Sequence, residues 1–261
     1  MSWQTLDVVQ QGHIATITLN RPEVRNAFNE VTIAEISQAF RELGDAPAIR
    51  VIVLAANGPA FCAGADLNWM KKMADYTHEE NLADAGQLAE MLRVIYTCPK
   101  PVVAKIQGDC YAGGMGLAAA CDIAIAADSV TFCLSEVRLG LIPATISPYV
   151  IKAMGESAAR RYFLTAERFS AAEALRTGFV QEVSSAEGLD DKVAEIVKAL
   201  AGNSPNAVKQ AKQLVQDVGG HEITPQLIAS TVEGIAVIRA SEEGREGVRS
   251  FLEKRKPSWL L

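Results

Sequence analysis

Apolar and polar positions divide the chain into an alternating front part and a helical rear. Leu6 to Gln10 and Ile14 to Leu19 are β-branched runs separated by Gln11-Gly12, which predicts a β-hairpin. Asn20-Arg21-Pro22 stops the second strand. Asn29 then caps a predicted helix whose apolar residues Ile33, Ile36, Phe40 and Leu43 recur at spacings of three and four and end at Gly44. Val51 to Ala55 is wholly apolar, the pattern of a strand covered on both faces. A longer helix is predicted from about Glu79 to Tyr96, with Leu82, Leu88, Met91, Leu92 and Ile95 on one side. After Lys100-Pro101 come further strands at Val102 to Ile106, Asp122 to Ala126 and Thr131 to Leu134.

This alternation predicts an α/β protein with largely parallel pairing. Beyond Pro143 the pattern shortens: helical segments at Val150 to Met154, Ala158 to Phe163 and Ala171 to Arg176, then a strand at Phe179 to Val183. From Leu189 only helix is predicted: Leu189 to Leu200, Ser204-Pro205 to Val218, a segment after Thr224-Pro225, and Glu242 to Lys254. Ser204 and Thr224 each precede a proline, as an N-cap precedes the first helical position. We divide the chain into a core of residues 1–195 and a helical region of 196–261. A tail of this length cannot hide its apolar residues on itself, so we expect it to pack on a partner subunit.

The 261 residues suffice for a sizeable core, and a net charge of -6 argues against nucleic acid, whose phosphates need clustered Lys and Arg. Cys62, Cys98, Cys110, Cys121 and Cys133 form no CxxC pair and mostly sit in apolar runs, which predicts reduced thiols and a cytoplasmic address. The first residues, MSWQTLDVVQQG, carry no basic stretch followed by an apolar one, and no apolar run is long enough to span a bilayer. Neither export nor a membrane partner is expected.

Two turns of small residues, Ala63-Gly64-Ala65 and Gly113-Gly114, each follow a predicted strand and open a predicted helix. Small side chains let a ligand approach the backbone, and a helix N-terminus adds partial positive charge. If the turns face each other, the amides of Ala65 and Gly113 can converge on one oxygen as an oxyanion hole; close helix-to-sheet packing is the alternative use of each glycine. No GxGxxG, GxxxxGK[ST] or GxSxG occurs. His13, His78 and His221 lie away from both turns, so neither a metal site nor a Ser-His or Cys-His arrangement is expected. That leaves Glu136, a carboxylate in an otherwise apolar run, placed to move a proton; a salt bridge with Arg138 is its alternative role. Asp66 and Asp122 are expected to cap or orient the neighbouring backbone.

Taken in order, Leu19-Asn20-Arg21-Pro22 with Asn26-Ala27-Phe28, Phe61 to Leu67, Ala112-Gly113-Gly114, Cys121 to Ala124, Ser135-Glu136 with Leu139-Gly140, Ile142-Pro143 and Phe251 to Lys256 resemble the crotonase (enoyl-CoA hydratase/isomerase) superfamily over nearly the whole chain. The resemblance implies a spiral of ββα turns with two sheets and a C-terminal helical region that builds trimers or hexamers. It implies that Ala65 and Gly113 hold the thioester oxygen of an acyl-CoA, with Glu136 as the acid-base group. It places the stretch with Ala63, Asp66, Leu67 and Asn68 along the adenine and pantetheine, Gly114 among the CoA- or substrate-binding residues, Arg25 at the CoA phosphates, and Phe251 and Lys254 at the CoA of an adjoining subunit. Coenzyme A is then part of the substrate, and no separate cofactor is expected.

Hydratases of this family commonly carry two glutamates, and the position of the first falls on Gly116. A single acid also resembles the Δ3,Δ2-enoyl-CoA isomerases, so isomerisation stands as the rival reaction and a non-catalytic CoA- or RNA-binding homologue as the rival from another class. Ala65 to Met70, Phe132 to Arg138 and Pro143 to Pro148 are most similar to bacterial methylglutaconyl-CoA hydratases, including the isohexenylglutaconyl type. The substrate expected from that similarity is a branched enoyl-CoA with a second carboxylate, as in leucine degradation. Arg138, Lys71, Lys72, Tyr111, Thr145 and Ser147 are the candidate partners for that carboxylate.

Overall fold

The computed structural model describes residues 3–260. The hairpin forms from β1 (Leu6–Gln11) and β2 (Ile14–Leu19), turning at Gly12 with φ 57°. Helix α1 (Glu30–Asp45) starts where Asn29 accepts the Thr32 amide, and buries Ile33, Ile36 and Phe40. The chain continues through β3 (Val51–Ala56), β4 (Ala60–Cys62), α2 (Leu67–Met73), α3 (His78–Tyr96), β5 (Val102–Ile106), β6 (Asp109–Tyr111), α4 (Gly113–Ala120), β7 (Ile123–Ala127) and β8 (Thr131–Cys133). Then follow α5 (Ser147–Thr165), β9 (Phe169–Ser170), α6 (Ala171–Thr177), β10 (Glu182–Ser184) and helices α7 (Leu189–Gly202), α8 (Pro205–Val218), α9 (Pro225–Ala240) and α10 (Glu242–Leu252).

The strands form two sheets. One has the order β1-β2-β3-β5-β7-β10, parallel throughout except for the β1-β2 hairpin; the other has the order β4-β6-β8-β9 and is parallel except for β8-β9. Three strands of the first sheet each run on into a three-residue strand of the second: β3 into β4, β5 into β6, β7 into β8. The chain thus winds as a ββα spiral, with Val51–Leu54, Val102–Ala104 and Ala124–Ala127 buried between helices. The segments expected at 150–154 and 158–163 are the two halves of α5, separated by a kink at Gly155, which is non-helical at φ 77°, ψ 157°. One expectation needs correction. The strand expected at 179–183 is shifted, because Phe179 and Val180 enter the core and pairing with β7 begins at Glu182.

The division at residue 195 falls inside α7, whose Leu189, Val193 and Val197 pack into the core, so the change in burial comes after Gly202. Helices α8 and α9 have no buried residue. Polar contacts set the tail on its own core: Lys212 reaches the Asp122 carboxylate at 2.7 Å and the Lys100 carbonyl at 3.1 Å, and Arg50 donates to the carbonyls of Ala201 at 3.1 Å and Trp259 at 2.7 Å. Ile228, Val232, Ile235 and Val237 of α9 remain exposed. All five cysteines are free thiols, and no helix among the described residues is long and apolar enough to cross a membrane.

Candidate active site

Three strand ends assemble the site. β4, β6 and β8 run side by side in parallel, with Cys62 opposite Cys110 and Tyr111 opposite Cys133. Their C-terminal ends therefore deliver the Ala63-Gly64-Ala65 turn, the Ala112-Gly113 turn and the Leu134-Ser135-Glu136 segment to one edge of the small sheet. The first two are in contact: a Cβ on Gly64 would lie 3.0 Å from the Ala112 Cβ and 3.6 Å from the Gly113 nitrogen. Ala65 forms a parallel bridge with Phe28, in which Phe28 donates to the Gly64 carbonyl at 2.9 Å and accepts from the Asp66 amide at 3.0 Å. The Ala65 amide points away from that bridge. Gly113 is the first residue of α4, where an amide has no helical acceptor. Among the described residues neither amide is donated to another protein group. Two unpaired donors on adjoining turns are what an oxyanion requires.

Ala112 has φ 48° and ψ -121°, a conformation that L residues rarely adopt. The strain sets the direction of the Gly113 amide and costs about 1–3 kcal/mol. Ala112→Gly should relieve it, less the ~0.5–1 kcal/mol of added unfolded-state entropy. The melting temperature is expected to rise by about 2–4 °C per kcal/mol gained, which calorimetry will measure.

Glu136 opens a single turn of 3-10 helix, Glu136–Leu139, that ends at Gly140 in the left-handed region. The carboxylate is largely desolvated, which pushes its pKa above the ordinary value of 4.5; a hydrogen bond from its own amide only partly opposes this. One carboxyl oxygen, Oε2, is buried with no hydrogen-bond partner. The alternative of a salt bridge with Arg138 is not met, because the Arg138 guanidinium donates to the Ala166 carbonyl instead. A half-buried acid with one oxygen free of any protein donor is placed to take or give a proton to a ligand.

The remaining expected site residues divide into groups. Arg25 is exposed, has no ionic partner among the described residues, and sits beside the first turn because its carbonyl accepts the Ala63 amide at 3.0 Å. Leu67 and Asn68 are exposed on the first turn of α2. Asp66 is structural: burial works against its charge, but the Asn68 amide, the Arg21 guanidinium at 2.9 Å and the Trp69 amide hold its carboxyl below the ordinary range. Gly114 is a packing glycine, since a Cβ there would meet the Cys62 carbonyl oxygen at 2.5 Å. Phe251, 81% exposed, and Lys254 lie on or just beyond α10, which packs on α8 and α9. Among the described residues neither forms a hydrogen bond or ion pair with the turns.

Of the candidate partners for a second carboxylate, Lys72 is paired with Glu30 at 2.6 Å, the Tyr111 hydroxyl donates to Asp109 at 2.9 Å and the Ser147 hydroxyl to the Ala144 carbonyl at 2.8 Å. Arg168, which the sequence did not single out, stands over the Tyr111 ring, 5.6 Å from its centroid. No three His, Cys, Asp or Glu side chains among the described residues are grouped as metal ligands would be. A cavity of about 480 Å³ lies on the far side of α4, between α8 and the core, and is bordered by Cys121, Asp122, Tyr149 and Lys212; none of the turn residues lines it.

The model of the enoyl-CoA hydratase/isomerase family matches residues 9–260. The chain belongs to that family. The crystal structure of an enoyl-CoA hydratase from Shewanella pealeana superposes with a TM-score of 0.96 at 43% identity, covering 98% of this chain and 96% of that one. Pseudomonas aeruginosa AtuE superposes with a TM-score of 0.94 at 33% identity, over 99% and 100% of the two chains. Mevalonyl-coenzyme A hydratase of Aspergillus fumigatus is 35% identical over 252 residues, 95% of this chain and 91% of that protein. Against the two-glutamate pattern of the family, the structure explains why Gly116 stands alone. A Cβ at Gly116 would lie 2.3 Å from Ile146 Cγ2 and 2.8 Å from Ile146 Cβ, so the buried Ile146 already fills the room another acid would take.

Proposed function

We propose that the protein hydrates an enoyl-CoA, adding water across C2=C3 with Glu136 as its only acid-base group. The observation that carries this reading is the pair of unpaired amides, Ala65 and Gly113, on the same sheet edge as a desolvated, unpaired glutamate. Hydrogen bonds from the two amides to the thioester oxygen draw electron density from the double bond and make C3 electrophilic. Glu136 removes a proton from water as the oxygen bonds to C3, and the electron pair of C2=C3 moves to give an enolate held by the amides. The same carboxyl returns a proton to C2, which is possible when both additions occur on one face. In the rival isomerisation Glu136 would carry a proton between two carbons, and no solvent oxygen would enter. Turnover in ¹⁸O-labelled water is expected to place the label in the product; unlabelled product with a shifted double bond would replace hydration by isomerisation.

The acyl group in this reading is a branched glutaconyl chain. Support comes from the similarity of the segments flanking Ala65, Glu136 and Pro143 to methylglutaconyl-CoA hydratases, and from a relative named for another branched thioester, mevalonyl-CoA. Arg138, Arg168 and Lys71 have no carboxylate partner among the described residues and are the candidate cations for a distal carboxylate. Crotonyl-, methylcrotonyl- and methylglutaconyl-CoA compared at steady state should rank with methylglutaconyl-CoA highest in kcat/KM. A preference for crotonyl-CoA would refute the glutaconyl assignment. Arg25 fits the CoA phosphates, since an unpaired guanidinium beside the turn suits a multiply charged anion.

A homotrimer, or a dimer of trimers, belongs to the same reading. The exposed apolar residues of α9 need cover, and a neighbouring copy would bring Phe251 and Lys254 to a CoA that its own chain does not reach. Light scattering on the purified protein should give three or six times the 28.0 kDa chain mass. Five free thiols suit a cytoplasmic location.

A further inference from the structure

Phe28 touches both turns of the site at once. Its backbone forms the bridge to Ala65, through hydrogen bonds to Gly64 at 2.9 Å and from Asp66 at 3.0 Å. These two bonds fix the peptide planes on either side of Ala65 and turn the Ala65 amide outward. Its side chain, 2% exposed, lies against Gly113: a Cβ there would come within 2.3 Å of the ring Cζ and 2.8 Å of Cε1. The backbone of one residue therefore holds the first amide while its ring backs the second.

The residue is itself held from two sides. Trp69 packs on the Phe28 ring with centroids 6.0 Å apart, and its indole donates to Asp84 at 3.0 Å. On the chain side, buried Asn26 accepts the Arg21 amide at 2.9 Å and donates to the carbonyls of Asn57 and Ala60, both at 2.8 Å. Arg21 in turn holds the Ala27 carbonyl at 2.7 Å and the Asp66 carboxylate. Phe28 cannot shift without breaking hydrogen bonds on both flanks, while a misplacement of about 1 Å in a reacting geometry can cost about a hundredfold in rate.

We infer that Phe28 is the positioning residue of the oxyanion hole: its backbone sets the Ala65 amide, its ring sets the Gly113 amide, and the separation of the two donors is fixed by this single residue. The inference rests on the reading of the two amides as donors to a thioester oxygen. In that role Phe28 acts on the polarisation of the carbonyl and leaves the grip on CoA alone. Its removal should lower kcat and spare KM.

The test uses Phe28→Leu, which keeps the backbone bridge but leaves a gap behind Gly113, and Phe28→Met, which fills more of the gap and keeps the fold if leucine does not. The spectroscopic probe is butyryl-CoA ¹³C-labelled at the carbonyl, a saturated thioester that cannot be hydrated, followed by difference infrared spectroscopy on the full-length protein. We expect kcat to fall about ten- to a hundredfold in Phe28→Leu, with KM changed less than about threefold and a smaller kcat loss in Phe28→Met. The bound carbonyl stretch should be lowered in the parent and return toward the free value in Phe28→Leu. A folded variant that keeps the parental carbonyl frequency, or kcat within about twofold, overturns the role of Phe28 while leaving the oxyanion reading in place. A parental carbonyl that is not lowered at all overturns the oxyanion reading, and the role of Phe28 with it.

Discussion

Glu136→Gln is expected to lower kcat by about 10²- to 10⁴-fold, the range that a positioned acid-base group contributes. The substitution keeps the size of the side chain and removes the ionisable carboxylate. Ile146 occupies the room beside Gly116, so no carboxylate at that position stands in for Glu136. Binding of acyl-CoA should persist, because Ala65 and Gly113 are backbone donors on other turns, and isothermal titration with a saturated acyl-CoA will check it. Near-parental turnover would remove Glu136 from the mechanism. The parent should also show one acidic limb in its kcat/KM profile: protonated Glu136 cannot accept a proton from water, so activity rises with pH as it ionises. Burial places that limb above the 4.5 of an ordinary glutamate, and it should vanish in the variant.

The same buried charge gives a stability signature of known sign. A carboxyl whose pKa is raised by folding binds more protons in the native than in the unfolded state between its two pKa values, so stability falls as pH rises through that window. Below 4.5 both states are protonated and the penalty is absent. Glu136→Gln should thus melt at or above the parent at pH 7, with the difference shrinking as pH falls toward 4.5. A variant less stable than the parent at neutral pH would mean that the carboxylate has a native partner.

The helices and long strands were legible because their signals are local. Asn29, Ser204 and Thr224 accept the amides expected of N-caps, and the apolar runs at 51–55 and 102–106 became central strands. Of the second sheet only β8 was legible from the residues, as the strand expected at 131–134, while the sheet itself was expected from the resemblance alone. β4 and β6 are three residues each, too short for any period to show, and they exist because each pairs with the strand of the next winding. The two turns and Glu136 could be singled out by composition, but their meeting is a product of that hidden sheet. Phe28 was legible only as part of a motif, since nothing in Asn26-Ala27-Phe28 announces a ring against Gly113. Arg168 was missed because its contact, the Tyr111 ring, comes from a strand far away in the chain.

Gly116→Glu should fail to install a second acid and should instead destabilise the protein. The new side chain would begin 2.3 Å from Ile146 Cγ2 and 3.6 Å from Leu92 Cδ2, in a region where Met115, Leu117, Leu92 and Ile146 are all buried. Overpacking of this kind costs about 1–3 kcal/mol, and an acid forced into an apolar pocket adds a further desolvation penalty. A loss of roughly 3 kcal/mol or more corresponds to about 6–12 °C in melting temperature for a chain of this size, with no gain in hydration. Ile146→Ala alone should also destabilise, by about 2–5 kcal/mol for the cavity it leaves. Combined, the two changes relieve each other's fault, so the double variant should be more stable than the sum of the singles predicts, by about 1–3 kcal/mol of coupling. If Gly116→Glu alone melts with the parent and hydrates faster, Ile146 is not what excludes the second acid. If the coupling appears and the double variant hydrates faster with a second limb in its pH profile, the one-glutamate chemistry of this chain follows from a single isoleucine occupying the place of a carboxylate.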